Sequence, residues 1–222
     1  VPSNGDDGIY ISSGTWSLMG VERKDADCSA DSMKANFTNE GGYDHRFRYL
    51  KNIMGLWMIQ SVRHELNDAY SFAQLCQMAE ECSDFPSRLD VNDSRFLAPE
   101  SMTGAIQDYC RQSGQPVPET PGELATVIYQ SLASCYGEVA GEIEAITGKK
   151  YTKIHIVGGG SNADYLNALT AKASGRTVYA GPTEATAIGN IVAQMLKSRE
   201  FSSLEEARSC IFDSFGVKTF LP

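Results

Sequence analysis

The spacing of apolar positions switches period along the chain, and each switch predicts a different element. Gly8 to Glu22 (GIYISSGTWSLMGVE) is rich in β-branched and aromatic residues and interrupted by Gly14 and Gly20. That composition predicts two strand pieces around a bend of small residues. Arg46 to Leu50 alternates and predicts a further strand, with Asn39 to Gly42 as its turn. From Asn52 onward, Ile53, Leu56, Trp57, Ile59, Val62 and Leu66 recur at helical spacing, apolar nearly all round in the first turns, so a buried helix is expected. A second helix is expected around Tyr70 to Glu81, followed by the Pro- and Asp-rich stretch Phe85 to Glu100. A short helix from Ser101 to Ser113 then stops at Gly114, with Pro116 and Pro118 beyond.

The strongest helix signal is Thr120-Pro-Gly-Glu123, a capping box with proline at the first helical position. Leu124, Val127, Ile128, Leu132, Cys135, Val139, Ile143 and Ile146 continue it as one apolar stripe to Gly148, a left-handed stop. The rhythm then changes. Lys153 to Val157 reads as a strand and Gly158 to Gly160 as a tight turn. Ser161 to Asp164 reads as a second capping box, opening a helix to Gly175. Arg176 to Ala180 is a strand, Gly181 to Thr183 a turn, and Glu184 opens a helix with Ile188, Ile191, Val192 and Met195 on one face. Strand–helix–strand–helix with short connections predicts parallel pairing under covering helices. One α/β domain with a mixed sheet is the expectation.

Composition narrows the function classes. Hydrophobic residues make up 42% of the 222 residues, enough for a packed core. The balance of 28 acids against 19 bases, net −9, argues against a nucleic-acid-coating protein, although a few local donors could still hold a small anion. No stretch approaches the ~18 consecutive apolar residues of a membrane span. Six cysteines without a CxxC, and no apolar leader, fit reduced thiols in a cytoplasmic protein. The three scattered histidines offer no zinc spacing, so no metal ligands are assigned. The chain opens on Val1-Pro2 rather than methionine, which suggests a piece of a longer polypeptide.

Two loops could carry chemistry. The glycines at 158–160 stand between a strand and a helix start, where bare backbone can approach a ligand and free N–H groups favour an anion. Gly158, Gly160 and Ala163 satisfy the dinucleotide pattern G-x-G-x-x-A, but the next strand ends Tyr179-Ala180-Gly181 without the acid that would take ribose hydroxyls. A dinucleotide-dependent oxidoreductase is disfavoured for that reason. The other loop, Ser12-Ser-Gly-Thr-Trp-Ser17, sets hydroxyls around a glycine on a strand bend, able to donate to phosphate oxygens or simply to satisfy a hairpin. Asp6 and Asp7 lie in a loop-forming run, Asn4-Gly-Asp-Asp-Gly8.

The runs Tyr10-Ile-Ser-Ser-Gly-Thr-Trp-Ser-Leu-Met-Gly20, Thr38-Asn-Glu-Gly-Gly42 and Leu50-Lys-Asn-Ile-Met-Gly-Leu-Trp57 closely resemble the FGGY carbohydrate kinases, in particular members that phosphorylate L-rhamnulose. Asn92 to Phe96, Pro99-Glu100, Ile156 to Gly160, Ala180 to Pro182 and Glu184-Ala185 extend the resemblance over about residues 9 to 197. It implies a ribonuclease-H-like, actin-like ATPase fold and transfer of the ATP γ-phosphate to the sugar 1-hydroxyl with Mg²⁺. By the same resemblance Thr15 would touch the nucleotide phosphates, Gln60 would lie on the ATP side, Gly159 would back the adenosine, and Asn52, beside the buried helix, would bond the sugar. The family's catalytic aspartate sits in a His-Asp-Thr segment ahead of the SSGTW strand, and Val1 to Gly8 contain none. The base is therefore expected upstream of Val1, and no catalytic residue is assigned. Residues 1–222 read as a C-terminal ATP-binding domain whose partner is its own N-terminal kinase domain, inactive alone. A kinase for another ketose or pentulose, and a free-standing nucleotide-binding regulatory module, stay open as alternatives.

Overall fold

A computed structural model describes residues 1–222. Its sheet is mixed and seven-stranded, in the order β3-β4-β2-β1-β5-β6-β7. Strands β1 (Gly8–Ser13) and β2 (Trp16–Arg23) form a hairpin, and β4 (Phe47–Met54) pairs antiparallel with β2. Strand β3 (Thr38–Gly41) pairs antiparallel with β4 at one edge. On the other side β5 (Lys153–Val157) runs parallel to β1, β6 (Thr177–Ala180) parallel to β5, and β7 (Lys218–Phe220) antiparallel to β6. The helices are α1 (Ala30–Lys34), α2 (Trp57–Glu65), α3 (Phe72–Glu81), α4 (Met102–Gln112), α5 (Pro121–Thr147), α6 (Asp164–Ser174), α7 (Ala185–Ser198) and α8 (Leu204–Ser214).

Alternation along the strands decides which side carries the core. Ile9 and Ile11 of β1 pair with Ile154 and Ile156 of β5, Ile11 also pairs with Met19 of β2, and Val21 of β2 pairs with Tyr49 of β4; all are buried, as is Ile53 of β4 opposite Ser17. Helix α5 lies against this face. Its capping box forms as the sequence requires, with Thr120 accepting from the Glu123 N–H and Glu123 accepting from the Thr120 N–H. Helices α3 and α6 pack against it as well, so its buried positions exceed a single stripe: Tyr129, Ala133 and Tyr136 are buried beside Leu132 and Val139. Each fully buried Leu or Ile of this layer contributes about 1.5–3 kcal/mol. Glu144, near the end of α5, meets Arg176 at 2.7 Å and accepts from the Tyr151 N–H, tying the helix to the strands that follow.

The opposite face is less covered. Tyr10, His155 and Tyr179 stand side by side on β1, β5 and β6, with His155 stacked on Tyr179 at 5.1 Å and Phe212 of α8 edge-on to Tyr179. The Tyr10 hydroxyl and both His155 ring nitrogens are buried without a hydrogen-bond partner. Beside Tyr10, a groove of about 570 Å³ runs between the sheet and helices α7 and α8. Helix α7 buries only Val192 and leaves Ile191 57% exposed.

Several expectations from the sequence are corrected. Asn52 does not start a helix: residues 47–54 are strand, and α2 begins at Trp57. Asn39 to Gly42 is not simply a turn, since Thr38–Gly41 forms β3 and a 3₁₀ turn over Tyr43–His45 makes the connection. The Ser161–Asp164 capping box is absent. A 3₁₀ turn spans Gly159–Asn162, the Ser161 hydroxyl donates back to the Gly158 carbonyl, and α6 starts at Asp164 with no side-chain cap. Helix α8 and strand β7 lie beyond the last element expected.

Candidate functional site

Strands β1 and β5 are parallel neighbours whose continuations diverge, β1 turning back into β2 and β5 leading on to β6 at the other side. A crevice opens outside the carboxyl ends of two strands at such a switch point, the preferred ligand position in sheets of this kind. Both loops singled out in the sequence are there.

The first is the bend between Ser13 and Ser17, which face each other as the last register pair of the hairpin. The Gly14 N–H donates to the Trp16 carbonyl at 2.9 Å. Helix α2 has no side-chain N-cap, and its entry is satisfied instead by the bend. The Leu56 N–H donates to the Gly14 carbonyl at 2.9 Å, and the Trp57 N–H to the Thr15 carbonyl at 3.1 Å. Gly55 permits this approach, because a Cβ there would stand 2.6–2.8 Å from backbone atoms of Trp16, Ser17 and Thr15. The Asn92–Phe96 segment braces the junction: Asn92 accepts from the Met54 N–H, and the Trp57 indole donates to the Phe96 carbonyl.

The second loop is the glycine turn, and it touches the first. Gly158 has φ +87°, where L side chains are strained, and its Cβ position is 2.7 Å from the Ser13 carbonyl. A Cβ on Gly160 would fall 1.9 Å from Ser13 Oγ and 3.4 Å from Leu56 Cδ1. Gly159 has nothing within 4 Å of its Cβ position and lies open. The next strand end joins in: the Gly158 N–H donates to the Pro182 carbonyl, the hydroxyls of Ser161 and Thr183 are 3.3 Å apart, and Thr183 donates to Asn162 at 3.4 Å.

Three of the four residues proposed from sequence thus converge. Thr15 is exposed, and its hydroxyl reaches Gln60 Oε1 on the first turns of α2 at 3.4 Å. Gly159 lies across the Ser13 contact from them. Asn52 is exposed on β4 opposite Leu18, on the sheet rather than beside the buried helix. Met54 pairs with Trp16, so Asn52 is two residues, about 7 Å, back from the bend. Asn162 and Thr183 were missed; the only sequence signal for them is their position flanking two turns at adjacent strand ends. Asp6 and Asp7 belong to the other end of β1, about 17 Å from the bend along the strand. Asp7 is held down at about 2 by the Thr152 hydroxyl and Lys153, and Asp6 pairs with Lys149 at 2.6 Å. Such a carboxylate is too weak a base, and too far away, to serve the crevice.

The model of the FGGY family of carbohydrate kinases, C-terminal domain, matches residues 9–198. The chain belongs to that family. It is 50% identical over 215 residues to a rhamnulokinase of Halalkalibacterium halodurans and 47% identical over 221 residues to one of Bacillus subtilis. These matches cover 97% and 100% of this chain but 46% of each relative, so the chain spans a little under half the length of the curated relatives it matches. Among solved structures, a xylulose kinase of Rhodospirillum rubrum superposes with TM-score 0.66 at 14% identity, over 97% of this chain and 42% of that one. A Plasmodium falciparum glycerol kinase with ADP gives 0.65 at 12%, over 94% and 42%. The fold is that of the FGGY kinases, the actin-like ATPase architecture expected from the sequence. No helix is long and apolar enough to cross a membrane.

Proposed function

We propose that this chain is the ATP-binding half of a cytoplasmic L-rhamnulose kinase, residues 1–222 forming its C-terminal domain and an N-terminal domain supplying the rest of the site. The observation that carries the reading is the meeting of bend and glycine turn at the β1/β5 switch point, in a chain 47–50% identical to rhamnulokinases. ATP phosphates lie against the bend and adenosine against the open backbone of Gly159. At 3.4 Å the Thr15–Gln60 hydrogen bond is long, so a phosphate oxygen, the stronger acceptor, replaces Gln60 as acceptor of the Thr15 hydroxyl's hydrogen bond at little cost and leaves the Gln60 amide free to turn its N–H towards the nucleotide. Asn52, at the same end of the sheet as the bend and two residues back from it, contacts the sugar.

The remainder of the reaction falls outside this chain. Phosphoryl transfer rests chiefly on positioning and charge neutralisation, and a general base adds about 10²–10⁴ in rate. Neither Asp6 nor Asp7 reaches the crevice. The chain holds no ready-made group of three His, Cys, Asp or Glu ligands; Mg²⁺ in a nucleotide site would be held mainly by phosphates, water and one or two carboxylates. We assign the ion's carboxylate ligand and the catalytic base to the other domain, so the isolated chain is expected to bind nucleotide without turning over sugar.

Calorimetric titration with ADP tests the reading. Weak 1:1 binding is expected, together with no ATP consumption in the presence of L-rhamnulose. Absence of any ADP binding up to millimolar concentration removes the nucleotide assignment; phosphorylation of the sugar by the chain alone removes the half-kinase assignment.

A further inference from the structure

On the α5 side of the sheet, directly behind the bend, Tyr136 projects from the middle of the long helix. It is 1% exposed, and its hydroxyl is 2.6 Å from the Ser17 hydroxyl, itself fully buried. Ser17 and Ser13 are the register pair that closes the bend. Ser13 Oγ is buried without a partner of its own and occupies the space a Gly160 side chain would need. Burial raises the Tyr136 pKa, and the hydrogen bond with the Ser17 hydroxyl pulls the other way.

A phenylalanine would fill the same volume among Leu132, Val139 and Ala140 without burying a group that must be satisfied. The hydroxyl therefore has a use other than filling the core. It stands on the longest helix of the domain and bonds Ser17, whose register partner Ser13 abuts the glycine turn. We infer that Tyr136 is a positioning residue: its hydroxyl holds Ser17 and, through the Ser17–Ser13 register pair, the root of the bend, so that Thr15 and Gly159 keep the separation at which one nucleotide spans both loops. This deepens the ATP-binding reading and rests on it.

The test compares ADP with adenosine on the 222-residue chain, since only ADP needs the bend. In Tyr136→Phe the ADP dissociation constant is expected to rise about five- to tenfold, the worth of one buried hydrogen bond, with adenosine affinity kept within about twofold. Ser17→Ala is expected to show the same loss and the double variant no more than either alone, because both remove one interaction. Ser17→Ala also carries the test should Tyr136→Phe fold poorly. Unchanged ADP affinity overturns the inference. So does an equal fall for ADP and adenosine that tracks the thermal midpoint, the signature of a purely structural tyrosine. If the unaltered chain binds neither compound, the ATP reading fails instead. The positioning role is then judged without ligand, by amide exchange over residues 14–17. Exchange about tenfold faster in Tyr136→Phe supports it, and equal rates overturn it.

Discussion

Gly159 and Gly160 are adjacent in the chain, yet a methyl group placed on each meets opposite surroundings. At Gly160 the Cβ would stand 1.9 Å from Ser13 Oγ and 2.5 Å from Ser13 Cβ, so either the serine or the turn must move. Overpacking of that kind costs about 1–3 kcal/mol. For a domain of this size each kcal/mol shifts the melting temperature by about 2–4 °C, so Gly160→Ala is expected to melt about 2–12 °C lower. At Gly159 nothing lies within 4 Å of the Cβ, and φ is outside the left-handed region. Gly159→Ala is expected to melt at or slightly above the original temperature, because a residue with less freedom in the unfolded chain gains up to about 1 kcal/mol. Gly159→Phe is expected to stay folded while losing ADP affinity, since its ring occupies the space assigned to adenosine. Melting by circular dichroism and ADP titration on the same preparations read both effects. A Gly159→Phe chain that binds ADP like the original removes the turn from the site. A Gly160→Ala chain that melts with the original contradicts the tight contact between turn and bend.

Two further outcomes are expected. His155 is 3% exposed, and burial first, then the charge of Lys153, lowers its pKa from 6.5 to about 4, with the Val1 amine and Arg208 adding and Asp7 opposing. Between those values the unfolded chain binds more protons than the folded one, so stability falls with pH by about 2 kcal/mol from pH 6.5 to 4.5. Glu144, which burial would raise but Lys150, the Tyr151 N–H and Arg176 hold at about 2, loses its contribution only below about 4.5. Urea denaturation of His155→Phe should therefore show a flatter profile above pH 4.5, and an unchanged slope would falsify the neutral buried imidazole. In a two-domain kinase carrying this chain as its C-terminal half, as proposed above, Thr15→Ala is expected to lower kcat/KM at least tenfold, the worth of a hydrogen bond to a charged group; an unchanged kcat/KM excludes Thr15 from the phosphates.

How much the sequence revealed depended on whether local chemistry or distant pairing set each element. The Thr120–Glu123 box was legible because both its bonds lie within four residues, and the hairpin because two glycine-broken apolar runs flank a bend. Asn52 misled because it precedes an apolar run with helical spacing, while its true partner is Leu18 on β2, 34 positions earlier in the sequence. Local pattern yields to the ladder. The polar β3 passed for a turn because an edge strand need not alternate. Ser161 matched a capping pattern, yet the positive φ of Gly158 puts its hydroxyl over a carbonyl instead of a free N–H. The bend and the glycine turn stood out from their own residues, but the roles given to Thr15, Gln60 and Gly159 came only through the resemblance, since nothing local joins residues 45 and 144 positions beyond Thr15 to the bend. Tyr136 was hidden by its position on the apolar stripe, four residues after Leu132; a phenol there asks for a polar partner but does not say which.

The bonds from Leu56 and Trp57 to the carbonyls of Gly14 and Thr15 also bear on where this chain could be lengthened. The bend is held by its own hairpin and by the start of α2, and none of those contacts passes through residues 24–46. Extra residues inserted at Asp25, outside the β2–β4 ladder, leave the bend and the glycine turn where they are. One residue inserted between Met54 and Trp57 would rotate the helix entry by about 100° and part it from the bend. The point open to insertion and the region closed to it are thus separated by α1, β3 and β4.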